Sequence, residues 1–339
     1  MNVVNQTPFP VHAMPGLGPE DRAVLTVIVK GTFEIVPDLP AKPAAEILPI
    51  AFGDELAETE HGMVPLWDSD LAPFKPRADV LLVGKAYAPP GKPCRELDVR
   101  MQVGRVDKTV RVFGARHWKG GSVVGEPRPG EPEPFTEQEI SYAHAYGGVD
   151  ATRGAVFLEN PVGTGFIADK AKRRDVEGLA LPRVEDPAHL MTRWKDRPTP
   201  AGFGTLGRGW ASRAGHLGTY DARWEKERAP LPPRDFSFAF YNAVPEDQQV
   251  ENYLKGNEPF RIVNATPSGR LSGKLPGLRL GVNVRKVRRK RAEPVEMRID
   301  TLVLIPDRMV MVVVWRGVCE IPGVEDTNVA EVAVDLRAG

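Results

Sequence analysis

Six histidines and two cysteines are the residues of this 339-residue chain whose types most often bind metals or act in catalysis. No two histidines stand within four positions of each other, and no His-Glu-x-x-His pair is present. Metal sites need such ligands at short, regular spacing, so the sequence predicts no metal site. Cys94 and Cys319 can form at most one disulfide, and we expect two reduced, largely buried thiols. The histidines are His12, His61, His117, His144, His189 and His216.

Other catalytic patterns are also missing from the sequence. Gly163-Thr164-Gly165 and Gly202-Phe203-Gly204 lack the Lys and the following helix of a phosphate-binding loop. No serine stands in a G-x-S-x-G setting. Acid pairs such as Glu137 with Glu139 could serve glycoside hydrolysis, but a chain with 45 acidic residues offers many. We therefore expect no catalytic residue and no cofactor; a carbohydrate-active enzyme or lectin on a β scaffold is the alternative.

The charge balance bears on possible partners. Lys plus Arg and Asp plus Glu both number 45, so no global field attracts nucleic acid or an anionic membrane. The basic run at 285–291 is predicted to be a solvated strand end and turn, with an acidic partner surface or nucleic acid as alternatives. The N-terminus lacks signal-peptide features, and the apolar stretch Met309–Trp315 is far shorter than the ~20 residues of a membrane span. We expect a cytoplasmic protein with no nucleic-acid or membrane partner.

Turn-like clusters that combine glycine with Trp, Tyr, Phe and Arg are the remaining candidate sites. Trp, Tyr and Arg are enriched at the energetic centres of protein interfaces. Glycine-rich turns with one aromatic residue are also a common way for irregular backbone to close over a core. We therefore interpret these residues as partner-binding or structural turn positions. They are Tyr146, Gly147, Gly148, Asn160, Pro161, Gly163, Gly165, Phe166, Trp210, Arg213, Gly218, Thr219, Tyr220, Asp221 and Trp224.

The elements that would position these clusters are mainly β-strands. Glycine and proline each number 33, which leaves little room for long helices. Strands are predicted where β-branched and aromatic residues dominate or alternate with polar ones, and Gly104–Lys108 is predicted to be a hairpin turn. The predicted strands are 24–36, 79–86, 96–103, 109–113, 260–263, 270–275, 278–287, 297–305 and 309–315, the last five as an antiparallel meander.

Three regions follow from this pattern. Residues 1–113 form an N-terminal β region and residues 256–339 a C-terminal β meander, predicted to pack together as one antiparallel, sandwich-like unit; two separate β domains are the alternative. Residues 114–255 are irregular, with short helices predicted at 220–227 and 246–254. Four tryptophans in this central region argue that it is ordered, because large rings are retained where they bury area.

A family resemblance follows from the order of the motifs in the central region. The chain resembles the bacterial family called domain of unknown function 2169, from the Pro8 region to about Ile321. Two departures are visible: Ala143-His144 stands where the family usually has Glu-Arg, and Tyr146 stands where it has Phe. The landmarks are Ser141-Tyr142 to Gly148, 160–166, 200–204, Trp210 with Arg213, 218–221 with Trp224, 230–232 with Asp235-Phe236, 245–249 and 300–302.

The resemblance implies a function for the chain. Members of the family resemble adaptors or chaperones of the type VI secretion system, whose genes accompany toxic effectors and PAAR or VgrG spike proteins. By that resemblance the chain would bind an effector or its spike partner in the cytoplasm and aid its loading. A structural component of the secretion apparatus is a further alternative. The family supplies no agreed catalytic residues.

Overall fold

The computed structural model describes residues 1–60, 62–120, 125–324 and 328–337, so His61 of the six histidines lies outside the described residues. The protein is mainly β, as the sequence predicted. In chain order the strands are β1 (Asn2–Asn5), β2 (Val11–Leu17), β3 (Ala23–Glu34), β4 (Lys42–Pro43), β5 (Glu55–Thr59), β6 (Gly62–Trp67), β7 (Ala78–Leu82), β8 (Lys85–Tyr87), β9 (Glu96–Val103), β10 (Val106–Phe113), β11 (Trp118–Lys119), β12 (Arg128–Pro129), β13 (Glu137–Glu139), β14 (Tyr146–Gly147), β15 (Val149–Asp150), β16 (Ala155–Val156), β17 (Thr164–Gly165), β18 (Val184–Glu185), β19 (Gln249–Val250), β20 (Pro259–Val263), β21 (Arg270–Lys274), β22 (Arg279–Lys286), β23 (Glu293–Val295), β24 (Met297–Ile305), β25 (Val310–Glu320) and β26 (Val329–Arg337). Two short α-helices, α1 (Ala211–Ala214) and α2 (Ala222–Glu227), lie within the described residues, with 3-10 turns at Pro19–Asp21, Tyr142–His144, Arg173–Asp175, Phe238–Tyr241, Glu246–Gln248 and Pro306–Arg308.

A seven-stranded sheet, here called the central sheet, combines strands from the first and last thirds of the chain. Its strand order is β19-β7-β24-β25-β3-β2, with β4 added beside β3. The longest pairing runs antiparallel between β3 and β25, from Val24 opposite Glu320 to Glu34 opposite Val310. Strand β7 lies parallel to β24. Strands that lie far apart in the sequence are therefore neighbours in this sheet, as β7 is with β24 and β3 with β25.

Two smaller sheets pack on one face of the central sheet. A five-stranded sheet has the order β18-β10-β9-β20-β21, and a four-stranded sheet has the order β1-β26-β22-β23. Residues from all three sheets meet in one large core, among them Val29, Met101, Ile262, Val282 and Leu302. The arrangement is sandwich-like, and its strands are antiparallel apart from the parallel pairs β7–β24, β1–β26 and β14–β17.

Strand β3 is buried on both faces, which explains its nearly unbroken apolar sequence. Val27 and Val29 point into the large core. Ile28 lies on the opposite face with Val312 and Val314, and residues from 48 to 71 cover that second face. The polar Thr26, Lys30 and Thr32 share the second face with Ile28, because alternate residues of a strand point to opposite sides.

Several strand limits agree with the sequence-based predictions. Strands β9 and β24 have the predicted bounds, and β3 and β20 differ by one or two residues. The hairpin turn after β9 is shorter than predicted, because Val103 already pairs with Val106. Only Gly104 and Arg105 form it, and Gly104 supplies the positive φ of 55° that such a tight turn needs.

Two predictions in the C-terminal half are wrong. The predicted helix at 246–254 is a 3-10 turn followed by β19, because Gln249 and Val250 pair with Asp79 and Ala78 at the edge of the central sheet. The predicted meander is divided among three sheets, since β20 pairs with β9 and β21, and β22 pairs with β23 and β26, while β24 and β25 join the central sheet. Alternation alone does not specify which sheet a strand enters. The cysteines are free, as expected, but only half-buried.

The described part of the central region, residues 114–120 and 125–255, is ordered and has its own small core. Trp118, Tyr146, Leu181, Met191 and Trp194 pack together there, with Phe157 and Phe166 at the margin. The short helix predicted at 220–227 is confirmed as α2, which begins two residues later. This small core holds rings in place with very little regular secondary structure around it.

Candidate functional site

The two glycine-rich motifs of the central region cross each other at close range. Strand β14 pairs in parallel with β17. Gly147 has a φ of 148°, and a Cβ atom there would lie 2.2 Å from the carbonyl oxygen of Asn160. A Cβ at Gly163 would lie 2.7 Å from the carbonyl oxygen of Ala145. Glycine is needed at both positions because the backbones touch.

Hydrogen bonds from the buried side chain of Asn160 stabilise this crossing. It is fully buried, and its Nδ2 donates to the carbonyl oxygens of Tyr142 at 2.8 Å and Tyr146 at 3.0 Å. Pro161 continues the same turn, and Gly165 packs against Pro182. These predicted site residues therefore hold irregular backbone segments together. That is a structural role, one of the two roles that the sequence left open beside partner binding.

The ring of Phe166 lies at the edge of the small core. It packs against Phe157 with ring centroids 5.4 Å apart, and Phe157 in turn contacts the buried Tyr146 at 5.0 Å. The guanidinium group of Arg197 lies 5.8 Å from the centroid of Phe166 and donates to the carbonyl oxygen of Ile167 at 2.6 Å. Phe166 is half-buried, so most of its contacts are internal.

Arg213 and Trp210 are also buried and internal. The Arg213 guanidinium donates to the carbonyl oxygens of Leu206 at 2.8 Å and Phe240 at 3.0 Å, and it pairs with Asp68 at 3.1 Å. Burial raises the pKa of Asp68, although Arg213 opposes that shift. Trp210 meets the ring of Tyr142 edge-on at 5.5 Å. A buried arginine that ties loop carbonyls together is a structural device.

The cluster from Gly218 to Trp224 differs from the others because it reaches the surface. Asp235 accepts hydrogen bonds from the Thr219 backbone and hydroxyl at 3.0 and 2.8 Å, which anchors the turn at Gly218. Asp221 caps α2 by accepting from the Trp224 backbone N–H at 2.8 Å.

The exposed ring of Tyr220 and the half-buried ring of Trp224 form a pair at the surface. Tyr220 is 53% exposed and meets Trp224 at 4.6 Å, while the Trp224 indole N–H donates to the Leu231 carbonyl at 2.9 Å. We call these two residues the ring pair.

A further group of rings, which the sequence reasoning missed, lies beside the ring pair. Phe74, Phe236, Phe238 and Tyr241 are half-buried and meet one another at 5.3 to 6.1 Å, and we call them the aromatic ledge. Burial raises the pKa of Tyr241. The ledge adjoins the ring pair through Asp235, which bonds Thr219 next to Tyr220 and directly precedes Phe236. In the sequence, three of these four rings stand in the run Phe236-Ser-Phe-Ala-Phe-Tyr241, which has aromatic residues at positions 236, 238, 240 and 241.

An open cleft of about 560 Å³ begins at the aromatic ledge. Its apolar lining includes Phe238, Leu206 and Val244, and its polar lining includes Asn242, Glu159 and Glu246. That volume lies within the range of ligand-binding clefts. The cleft draws residues from five stretches of the chain, between positions 76 and 249, which sequence spacing could not have brought together.

A buried ion pair fixes the wall of the cleft from behind. On the outer face of the central sheet, Lys75 pairs with Asp79 at 2.7 Å. The Asp79 carboxylate also accepts from Asn242 Nδ2 and from the Ala243 backbone N–H, both at 2.7 Å. Lys30 pairs with Asp70 at 2.8 Å on the same face. Buried carboxylates that are hydrogen-bonded on several sides hold their partners in one position.

Neither a metal centre nor a membrane span was found in the residues that the structure describes. No group of three or more His, Cys, Asp or Glu side chains there is placed to hold a metal ion. Within the same residues, no helix combines the length and apolar character needed to traverse a bilayer.

Fold and site together define a mainly β protein with an ordered, irregular middle region that carries a ring-lined cleft. The chain belongs to the bacterial family described as "Uncharacterized protein conserved in bacteria (DUF2169)", whose model matches residues 20–316. The family resemblance seen in the motifs is thereby confirmed. No curated protein and no solved structure matches the chain.

Proposed function

We propose that this protein is a non-catalytic adaptor that binds a type VI secretion effector, or its PAAR or VgrG spike partner, and aids its loading. The observation that carries the proposal is the aromatic ledge with the adjoining cleft. Half-exposed rings on a fixed support contribute large contact area at little cost in side-chain entropy. The motif resemblance described above points to the class of partner, and cytoplasmic binding follows from that assignment.

The position of the rings supports binding to a protein surface. The ring pair and the aromatic ledge stand next to each other, whereas the other predicted site residues are mostly internal. Interfaces concentrate their binding energy in a few rings and arginines surrounded by less important contacts. The binding face is therefore assigned to the aromatic ledge, the ring pair and the cleft.

Co-purification with the protein encoded by the neighbouring effector gene tests this proposal. We expect the wild-type chain to retain that protein, and Phe238→Ala and Trp224→Ala to retain at least about tenfold less, since hot-spot rings contribute about 2 kcal/mol or more each. Leu179→Ala, which removes an exposed apolar side chain elsewhere in the central region, is the control and should bind normally. Circular dichroism of each variant separates lost binding from lost folding.

Two outcomes would contradict the proposal. One is the absence of any complex together with undiminished effector delivery in a deletion strain. The other is turnover of a glycan by the purified chain, which would favour the carbohydrate-active alternative. Loss of delivery for every effector alike would instead favour a structural component of the secretion apparatus.

A further inference from the structure

The wall of the cleft beside the aromatic ledge contains a buried amide, the side chain of Asn242. Asn242 is 3% exposed. Its Nδ2 donates to the carbonyl oxygen of Arg77 at 2.9 Å and to Asp79 at 2.7 Å, and these two bonds fix the orientation of the amide. Its Oδ1 has no hydrogen-bond partner among the described residues. The two hydrogen bonds of Nδ2 therefore hold this part of the cleft wall in one position.

The charges around the cleft favour a cationic ligand. Two cations line it, but both are neutralised: Arg77 pairs with Glu251 at 3.3 Å, and Arg213 pairs with Asp68. Glu159 and Glu246 also line the cleft and are exposed, and within the described ranges neither carboxylate forms an ion pair. The charge that remains uncompensated at the cleft is therefore negative.

The apolar part of the cleft suits the stem and the flat head of an arginine side chain. Phe238 lines the cleft and belongs to the aromatic ledge, and a ring face attracts a guanidinium group. Leu206 and Val244 offer surface to a methylene chain. A guanidinium carries five N–H donors and no acceptor, which matches a cleft whose unpaired groups are acceptors.

We propose that this cleft binds an arginine-bearing segment of a partner polypeptide. In that complex the guanidinium group contacts the carboxylates of Glu159 and Glu246. The inference deepens the proposed adaptor function and rests on it for the nature of the partner. It names the chemistry of the contact: the partner's docking segment is basic at the cleft and apolar beside it.

Fluorescence anisotropy with three labelled hexapeptides of otherwise identical sequence tests the inference. One peptide carries arginine at its third position, one carries citrulline, which has the same shape without the charge, and one carries glutamate. We expect the arginine peptide to bind saturably, and the citrulline and glutamate peptides to bind at least about tenfold more weakly, since a hydrogen bond to a charged group contributes about 1.5–3 kcal/mol. Binding of the arginine peptide should also weaken as salt concentration rises.

A charge-neutral variant and a matched control locate the contact. The double variant Glu159→Gln and Glu246→Gln should bind the arginine peptide at least about tenfold more weakly than wild type. The control is Glu55→Gln with Glu58→Gln, which changes the net charge equally on an exposed hairpin that does not line the cleft. All four positions are exposed, so both variants are expected to fold.

The results separate this inference from the adaptor function. Equal binding of the three peptides, no saturable binding in the millimolar range, or equal loss in both double variants would overturn the inference. If the wild-type chain still retains the effector under those outcomes, the adaptor proposal stands without it. If the arginine peptide binds as expected but no effector is retained, the cleft chemistry stands and the adaptor proposal fails.

Discussion

The central sheet and the two smaller sheets that share its large core, together called the framework, are stabilised differently from the central region. In the framework, long strand pairings such as β3 with β25 satisfy the backbone, and one large core fills the space between the sheets. In the central region, single side chains satisfy loop carbonyls, as Asn160 and Arg213 do, and glycines permit close backbone contacts. The difference teaches that irregular backbone stays ordered when buried polar side chains replace the hydrogen bonds of a sheet.

Equivalent leucine truncations compare the two cores most directly and should have the largest effects. Leu302→Ala in β24 removes a fully buried side chain from the large core and should cost about 2–5 kcal/mol of unfolding free energy. Leu181→Ala in the small core should fall toward the lower end of that range, because short loops relax into a cavity more easily than paired strands. Urea unfolding followed by circular dichroism measures both. A larger cost for Leu181→Ala would contradict the comparison.

Removal of the buried amide tests whether one side chain stabilises the glycine crossing. Asn160→Ala leaves the buried carbonyl of Tyr146 without its donor, at a cost of about 1–3 kcal/mol, while the carbonyl of Tyr142 keeps its bond from the Ala145 N–H. Hydrogen exchange should rise in residues 142–166 while β3 and β25 stay protected. Asn252→Ala, at an exposed position, is the control and should stay within about 0.5 kcal/mol of wild type. Unchanged exchange at 142–166 would show that the glycine contacts suffice.

The pH dependence of stability tests the comparison where the central region meets the framework, at strand β18 of the five-stranded sheet. Burial raises the pKa of Glu185 to about 7 from its ordinary value of 4.5, although Arg116 opposes the shift. Because the folded state holds this proton more tightly than the unfolded state, the contribution of Glu185 is fully present below pH 4.5 and is lost as pH rises through 7.

The stability advantage of wild type over Glu185→Gln should therefore shrink between pH 5 and pH 8. Urea midpoints at several pH values measure this difference. An advantage that grows with pH would mean that the ion pair with Arg116 outweighs the cost of burying the carboxylate.

Loss of the helix cap at the surface should have the smallest effect. Asp221→Ala removes the hydrogen bond to the Trp224 backbone N–H, which is worth about 0.5–2 kcal/mol to the helix end. Because α2 is six residues long and lies outside both cores, we expect faster exchange at 222–227 with little change in the global unfolding midpoint. Glu225→Ala, within the same helix but outside the cap, is the control. A global shift comparable to that of Asn160→Ala would mean that α2 supports the central region as a whole.

The candidate site was only partly predictable from the sequence. Glycine-aromatic clusters were predicted to be partner-binding or structural turn positions, because glycines with rings nearby are the residues that tight, buried backbone requires. Most of them are internal, and only Tyr220, Trp224 and their neighbours reach the surface. The cleft was missed, since its lining residues are far apart in sequence and only the 3-10 turn at Phe238–Tyr241 carried a visible run of rings.

The sequence by itself determined the mainly β character, most strand positions and the family, because side-chain alternation and local motifs are properties of short segments. Only the tertiary structure decided which sheet each strand enters, which ring clusters are buried and where the cleft lies. Those features depend on contacts between distant residues, such as Lys30 with Asp70 or Asn242 with Asp79. A local pattern predicts that a side chain will be buried, but which residue it contacts is determined only when the sheets pack.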